Sequence, residues 1–361
     1  MAKAKEIAGL DCEAGAFDGI SLVLRSRLAE MCDLRDAALD FADPKGVHDM
    51  RVASRRLRSA LRDFAPYLNK GKALRKRLKS VAGALGAVRD EDVALMALEK
   101  LEAEAGDASA GVVLLADERR ERRERARRAL AAAIDEATLS ELRAALDALL
   151  LARAPKTRRG KAGNAHHQEA GEPTFRQFGR RVILAGFDEL RSSSASLYRP
   201  FETEPLHDMR IAAKRLRYAV QLFAQCWGGQ LAPLAKEVAE IQSSLGELHD
   251  CDVWIADLGA RLDNLRRDNS SLDNPRGDDV DGSAQSPDAD AAQRRAFVRL
   301  LEHFVETRMK HYSDALARWD EWEANGFSQR LADALQTPAT AAPPKPSTTR
   351  RTSKRRASRK A

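Results

Sequence analysis

The chain has 361 residues, of which 43% are hydrophobic and 5% aromatic, and a formal net charge of +7. That length suffices for two domains of ordinary size. The dominant Ala, Leu, Arg and Glu favour helix, and no stretch alternates apolar and polar residues as a half-buried strand does. A uniformly basic body is excluded, because residues 336–361 hold eight Lys and Arg and no acid, which leaves −1 for the remainder. No segment reaches the roughly 18 apolar residues of a membrane span, and the start, "MAKAKEIAGLDCEAG", lacks the apolar run of a signal peptide. Cys12, Cys32, Cys226 and Cys251 include no C-x-x-C pair, so reduced thiols in a cytoplasmic protein are expected.

Hydrophobic periodicity predicts helices near 17–41, 46–68, 71–87, 90–104, 109–136 and 138–153. A Gly-, Pro- and charge-rich stretch at 153–173, containing His166 and His167, reads as a linker. Further helices are predicted near 174–193, 205–226, 230–248, 251–263 and 292–324, with a short one near 327–336. Asp-rich residues 264–292 read as a disordered insertion, and the low-complexity tail 336–361 as disordered too. Short loops between long amphipathic helices predict antiparallel bundles.

Two motifs recur in the same order. "VHDMRVASRRLRSALRDF" at 47–64 is matched by "LHDMRIAAKRLRYAVQLF" at 206–223, with a separation of 159 residues. "LGAVRDEDV" at 85–93 is matched by "LGELHDCDV" at 245–253, with a separation of 160. Two similar Arg-rich helices could arise by chance, but the second motif at almost the same distance marks a duplicated helical unit. The repeats occupy about 15–152 and 174–325.

On a helix, His48, Arg51, Arg55, Arg58 and Arg62 share an arc of about 80°, with Met50, Leu57, Leu61 and Phe64 on the opposite side. Arg56 lies on the flank. In the second copy His207, Arg210, Lys214 and Arg217 share one stripe, and Met209, Leu216, Val220 and Phe223 form the apolar face. A solvated face is the ordinary reading of such a stripe. Solvated faces, however, mix signs, because like charges at i,i+4 repel, and here no acid interrupts the arc. A bound polyanion or facing carboxylates would relieve that repulsion. Arginine forks suit phosphate oxygens, and a histidine adds a donor that strengthens as pH falls.

The His-Asp dipeptides also suggest a metal-dependent phosphohydrolase. Yet His48 is the one histidine before the linker, and on a helix His48 and Asp49 diverge by about 100°. No matched ligand cluster recurs in both halves. Phosphate loops of the G-x-x-x-x-G-K-[ST] and G-x-G-x-x-G types are absent, so no cofactor is expected. Trp319 and Trp322, with Phe297, Leu300, Leu301 and Phe304, read as a core stripe. The apolar seams Leu74, Leu78, Val81, Leu85, Val88 and Leu234, Val238, Ile241, Leu245, Leu248 run towards Asp92 and Asp252. If each helix continues, these aspartates need a partner, for which a stripe arginine is the natural candidate. If each helix breaks after Gly86 and Gly246, Asp90 and Asp250 are N-caps instead.

The paired "HDMR" helices, each followed by an "LG…D.DV" segment, resemble the CHAD domain (conserved histidine α-helical domain) over about residues 15–325. The resemblance implies an all-α fold of two pseudo-symmetric four-helix-bundle halves around a basic cavity. It also implies inorganic polyphosphate as ligand and association with polyphosphate granules; the lack of a metal-ligand cluster argues for binding without catalysis. By motif match the ligand-facing candidates are His48, Arg51, Arg55 and Arg58, with His207, Arg210, Lys214 and Arg217. Arg56 and Arg215 match on the flank, and Arg62, Lys76, Lys236, Arg89 and His249 are secondary candidates. The halves differ where Arg89 stands opposite His249, and no E-x-E-x-K motif of an adjoining triphosphate-tunnel domain is found. The alternatives are a polyphosphate or phosphoester hydrolase, or a nucleic-acid-associated protein acting through its basic tail.

Overall fold

The structure, a computed structural model, describes residues 6–68, 71–102, 109–152, 172–272 and 287–336. Among the described residues eleven α-helices run in chain order: α1 (Ala16–Asp33), α2 (Arg35–Leu39), α3 (Pro44–Asp63), α4 (Lys72–Glu102), α5 (Ser109–Ala133), α6 (Glu136–Leu151), α7 (Phe175–Ser192), α8 (Thr203–Phe223), α9 (Ala232–Leu272), α10 (Pro287–Ala324) and α11 (Phe327–Gln336). Short 3-10 turns at Ala65–Tyr67, Ser194–Tyr198 and Ala224–Leu231 join some of them. Among the described residues the sole β-contact is an isolated bridge between Gly15 and Thr174. The fold is all-α.

Local chemistry accounts for several starts. Asp43 caps α3 by accepting from the Lys45 N–H at 2.8 Å, and Pro44 supplies a preset φ at the first position. Thr174 and Gln177 make a reciprocal capping box at α7. The predicted helix at 17–41 is broken at Leu34 into α1 and α2. The chain then turns back so tightly that a Cβ on Gly46 would lie 1.8 Å from the Ala37 carbonyl oxygen. Only glycine permits that approach of α2 to the first turn of α3.

The predicted breaks after Gly86 and Gly246 do not occur, since α4 and α9 run straight through. Both apolar seams are buried and continue beyond the glycines, through Leu95 and Leu98 in α4 and through Trp254 and Leu258 in α9. Burial of a continuous seam outweighs the roughly 1 kcal/mol that one helical glycine costs. Asp90 and Asp250 are therefore mid-helix residues, not caps. The supposed insertion at 264–292 is also partly helical, because α9 reaches Leu272 and α10 begins at Pro287. Residues 273–286, most of the linker with His166 and His167, and the tail from 337 onward lie outside the described residues.

The two repeats share their interior. The main core joins Phe64 of the first repeat to Phe175, Phe178 and Phe223 of the second through ring contacts of 5.9–6.2 Å. A second cluster takes the far ends of α4, α5, α9 and α10, including Leu98, Val112, Trp254 and Phe297. The aromatic stripe of α10 is buried as predicted but divides between the two: Trp319 and Trp322 enter the first, Phe297, Leu300 and Phe304 the second.

Cysteine usage differs from expectation. Cys12 and Cys226 are joined in a disulfide, their Cα atoms 5.5 Å apart, while Cys32 and Cys251 are buried thiols. Spacing along the chain could not disclose a pair separated by 214 residues. It forms because the segment before α1 lies on the 224–231 turn, where the Ile7 N–H and C=O both bond to the Gln225 amide. Among the described residues no helix is long and apolar enough to cross a membrane.

Candidate anion-binding site

The two stripe helices pack against each other, since α3 contacts α8. Their apolar faces are buried as predicted: Met50, Leu57, Leu61 and Phe64 in one, Met209, Leu216, Val220 and Phe223 in the other. With the apolar faces in the core, part of each basic stripe converges on the other. Arg55 is the centre of that convergence. Its charge acts on Arg51 of its own helix and on Arg210, Lys214 and Arg217 of α8. Burial first, then these like charges, holds Arg51 and Arg210 below the usual arginine range. Lys214 feels the same forces more strongly: burial, then Arg210, Arg55 and Arg51, bring its pKa down to about 7. Arg51, Arg55, Arg210 and Lys214, drawn from two repeats, thus crowd one half-buried site, with Arg217 buried beside it, at a free-energy cost that a dense anion would remove.

Two carboxylates already offset part of this crowding. Asp90 of α4 accepts from Arg51 at 2.9 Å. Asp250 of α9 interacts with Arg210 and Lys214, and also feels Asp90 from the other repeat. Burial pushes Asp250 above the usual carboxylate range. Tyr218 lies near Arg51, Arg56 and Arg217. None of these three stands out in sequence as part of a site. For Asp90 and Asp250 a signal existed, since both repeat within the second motif.

Asp92 and Asp252 do need partners, but the stripe does not supply them. Asp92 is buried and lies 3.8 Å from Arg123 of α5. Asp252 is bonded at 2.6 Å by Arg308 of α10, which also donates to the Pro200 carbonyl. The stripe arginines face the aspartates two positions earlier, about 160° away around the helix.

The histidines sit beside the cations. Burial, then Arg89, pushes His48 below the usual histidine range. In the other half His207 Nδ1 lies 3.1 Å from His249 Nδ1. Burial, then Arg210 and His207, lowers His249 to about 4. At neutral pH His249 is therefore an uncharged imidazole, and the downward direction at His48 also disfavours its charged form. His249 is therefore a weaker phosphate donor than a protonated side chain would be. Arg89 and His249 occupy matching positions, so one half carries a fixed charge where the other carries a neutral ring.

Other candidates are engaged elsewhere or face solvent. Arg56 joins a buried ion pair, reaching Glu30 at 3.3 Å beside Arg27, which bonds the same carboxylate at 2.7 Å. Arg215 pairs with Glu189. Arg217 is buried and donates to Gln242. Arg62 is held by Asp63 at 2.7 Å and by Ser59. Arg58 is exposed, as are Lys76 and Lys236, the latter 3.8 Å from Glu240. A cleft of about 500 Å³ among α9, α10 and α11 is removed from this site. Its arginines are already paired, Arg318 with Glu240 and Arg330 with Glu237, so concavity alone does not mark the anion site. Among the described residues no group of three or more His, Cys, Asp or Glu is placed to hold a metal ion.

The solved structures similar to this chain include two that span most of it. A CHAD domain from the plant Ricinus communis is 23% identical with a TM-score of 0.61, over 86% of this chain and 96% of that one. PptA from Streptomyces chartreusis is 16% identical with a TM-score of 0.57, over 85% of this chain and all of the other. At such identities the likeness concerns the fold. No curated protein matches. The CHAD domain model matches residues 22–259, a span that includes both stripe helices and both following motifs. Duplicated sequence, all-α fold and family match agree, and the chain belongs to the CHAD domain family.

Proposed function

We propose that this protein binds inorganic polyphosphate without hydrolysing it, through Arg51, Arg55, Arg210 and Lys214, with His48, His207, Arg89 and His249 at the margins. The observation that carries the reading is the convergence of the two stripes on Arg55. Like charges from two repeats stand close together in a half-buried setting, with fewer carboxylates than cations around them. Polyphosphate is the ligand that the CHAD resemblance implies, and its linear, closely spaced charges suit such a row. Residence at polyphosphate granules is part of the same proposal. Arg58, Arg62, Lys76 and Lys236, exposed around the site, serve as outer contacts at most.

Titration of the protein with long-chain polyphosphate and orthophosphate tests this. The long chain is expected to bind far more tightly, because engagement of one stripe makes engagement of the other effectively intramolecular. Equal affinities would defeat the reading. Incubation of polyphosphate with the protein and Mg²⁺, Mn²⁺ or Zn²⁺ is expected to release no phosphate above background. Release that is lost on replacing His48 or His207 would favour the hydrolase alternative.

Lys214 adds a pH dependence. Facing it are Arg51 and Arg55 from α3, Arg210 from its own helix and Asp250 from α9. Above pH 7 the free protein holds it largely neutral, and a bound polyanion restores its proton. Binding then takes up a proton, and affinity falls as pH rises from 7 towards the pKa of the complex, by at most about tenfold per pH unit. Lys214→Arg removes that component. Affinities measured between pH 6.5 and 8.5 check it; a profile identical for both proteins would contradict the role given to Lys214. The ligand-free fold responds in the opposite sense. Between about 7 and the ordinary lysine value of 10.5 the unfolded chain binds more protons, so stability rises with pH across that window.

A further inference from the structure

We infer that Asp90 and Asp250 are built-in competitors of the anion site, carboxylates that a ligand must displace and that thereby set the minimum charge it has to bring. The inference rests on the anion-binding reading above. Asp90 occupies Arg51 directly, Nη2 to Oδ1 at 2.9 Å, although its own side chain is 68% exposed. It is therefore a counter-ion at the mouth of the site rather than part of the core, and its removal leaves no hole. The contact is made over Gly86: the Arg51 guanidinium and the Asp90 carboxylate both come within 3.9–4.0 Å of where a Cβ would stand. Asp250 stands at the matching position of the repeated motif in α9, where its charge acts on Arg210 and Lys214, and the two aspartates also act on each other. The repeats thus bring their carboxylates to one place, as they bring their cations.

Two like-charged carboxylates near each other repel, and both also repel an arriving phosphate. An anion that meets one arginine has to break the ion pair for a single new contact. A chain of phosphates replaces both carboxylates and gains the remaining cations as well. The aspartates keep the cation cluster tolerable when empty and keep small or sparsely charged anions out. The opposite reading is that Asp90 positions Arg51 for the ligand. The two readings differ in sign.

The test is the double variant Asp90→Asn, Asp250→Asn in the full chain, titrated with long-chain polyphosphate and with tripolyphosphate. Glu99→Gln serves as the control, neutralising one carboxylate, as each single substitution of the double variant does, on an exposed residue on the far side of α4. The double variant is expected to bind long-chain polyphosphate roughly tenfold or more tightly, the scale of one charge-assisted contact, and to gain measurable binding of tripolyphosphate. Glu99→Gln should change neither. Unchanged or weakened binding in the double variant, with circular dichroism showing an intact helical fold, overturns the inference while leaving the anion-binding reading in place. Failure of the unaltered protein to bind polyphosphate overturns that reading itself, and the inference with it. If Glu99→Gln tightens binding as much, the gain is general electrostatics and the inference falls.

Discussion

Replacing Arg51, Arg55, Arg210 and Lys214 together by alanine is expected to weaken long-chain polyphosphate binding by at least about a hundredfold. A hydrogen bond to a charged group is worth about 1.5–3 kcal/mol, so loss of even two of the four contacts suffices. The basic tail is the competing explanation, because eight cations on 336–361 would attract any polyanion. Removing residues 337–361 is therefore expected to cost much less for polyphosphate but to abolish most DNA binding, since what remains carries no net positive charge to offer a duplex. Salt weakens both modes through counterion release and does not separate them. Arg→Lys at Arg51 and Arg55 does: it keeps the charge, loses the planar fork, and should weaken the ordered site alone. Circular dichroism must show the alanine variant helical. It should be, because Asp90, left without Arg51, faces solvent. If tail removal eliminates polyphosphate binding and the fourfold variant retains it, the stripes are solvated surface and the proposed site is wrong.

Gly46→Ala is expected to destabilise the fold by about 2–3 kcal/mol in urea denaturation, at the upper end of what one added methyl usually costs. The clash is with the backbone of Ala37, not with a side chain that could swing away, so α2 and the first turn of α3 must separate. That turn carries Val47 and His48, and the anion site should be displaced with it. Gly83→Ala is the counterpart. It adds the same methyl to a helical glycine with nothing within 4 Å and should raise stability by about 0.5–1 kcal/mol. Equal effects of the two substitutions would show that the tight approach at Gly46 is not required.

These two predictions draw on different layers of information. The internal repeat, the all-α class, the apolar faces of α3 and α8 and the arc shared by His48, Arg51 and Arg55 were legible in sequence, because each follows from helical periodicity within one segment. Which stripe residues meet was not. Arg51 and Arg217 hold comparable places in that periodicity, yet one lines the cation cluster beside Asp90 and the other is buried against Gln242. Arg56 and Arg215 matched the family pattern but pair with Glu30 and Glu189, acids on α1 and α7. Asp92 and Asp252 took arginines from α5 and α10, where sequence pointed to the stripe. In each case the outcome depended on a partner supplied by another helix. Periodicity describes the face a side chain leaves from. The partner it reaches, the water it loses and the pKa it acquires depend on crossing angles and on distances between segments far apart in the chain, as with Cys12 and Cys226 or Gly46 and Ala37. The repeat determined that two basic helices exist; the packing of α3 on α8 decided that Arg55 and Lys214 share one field, because Coulomb energy depends on separation in space.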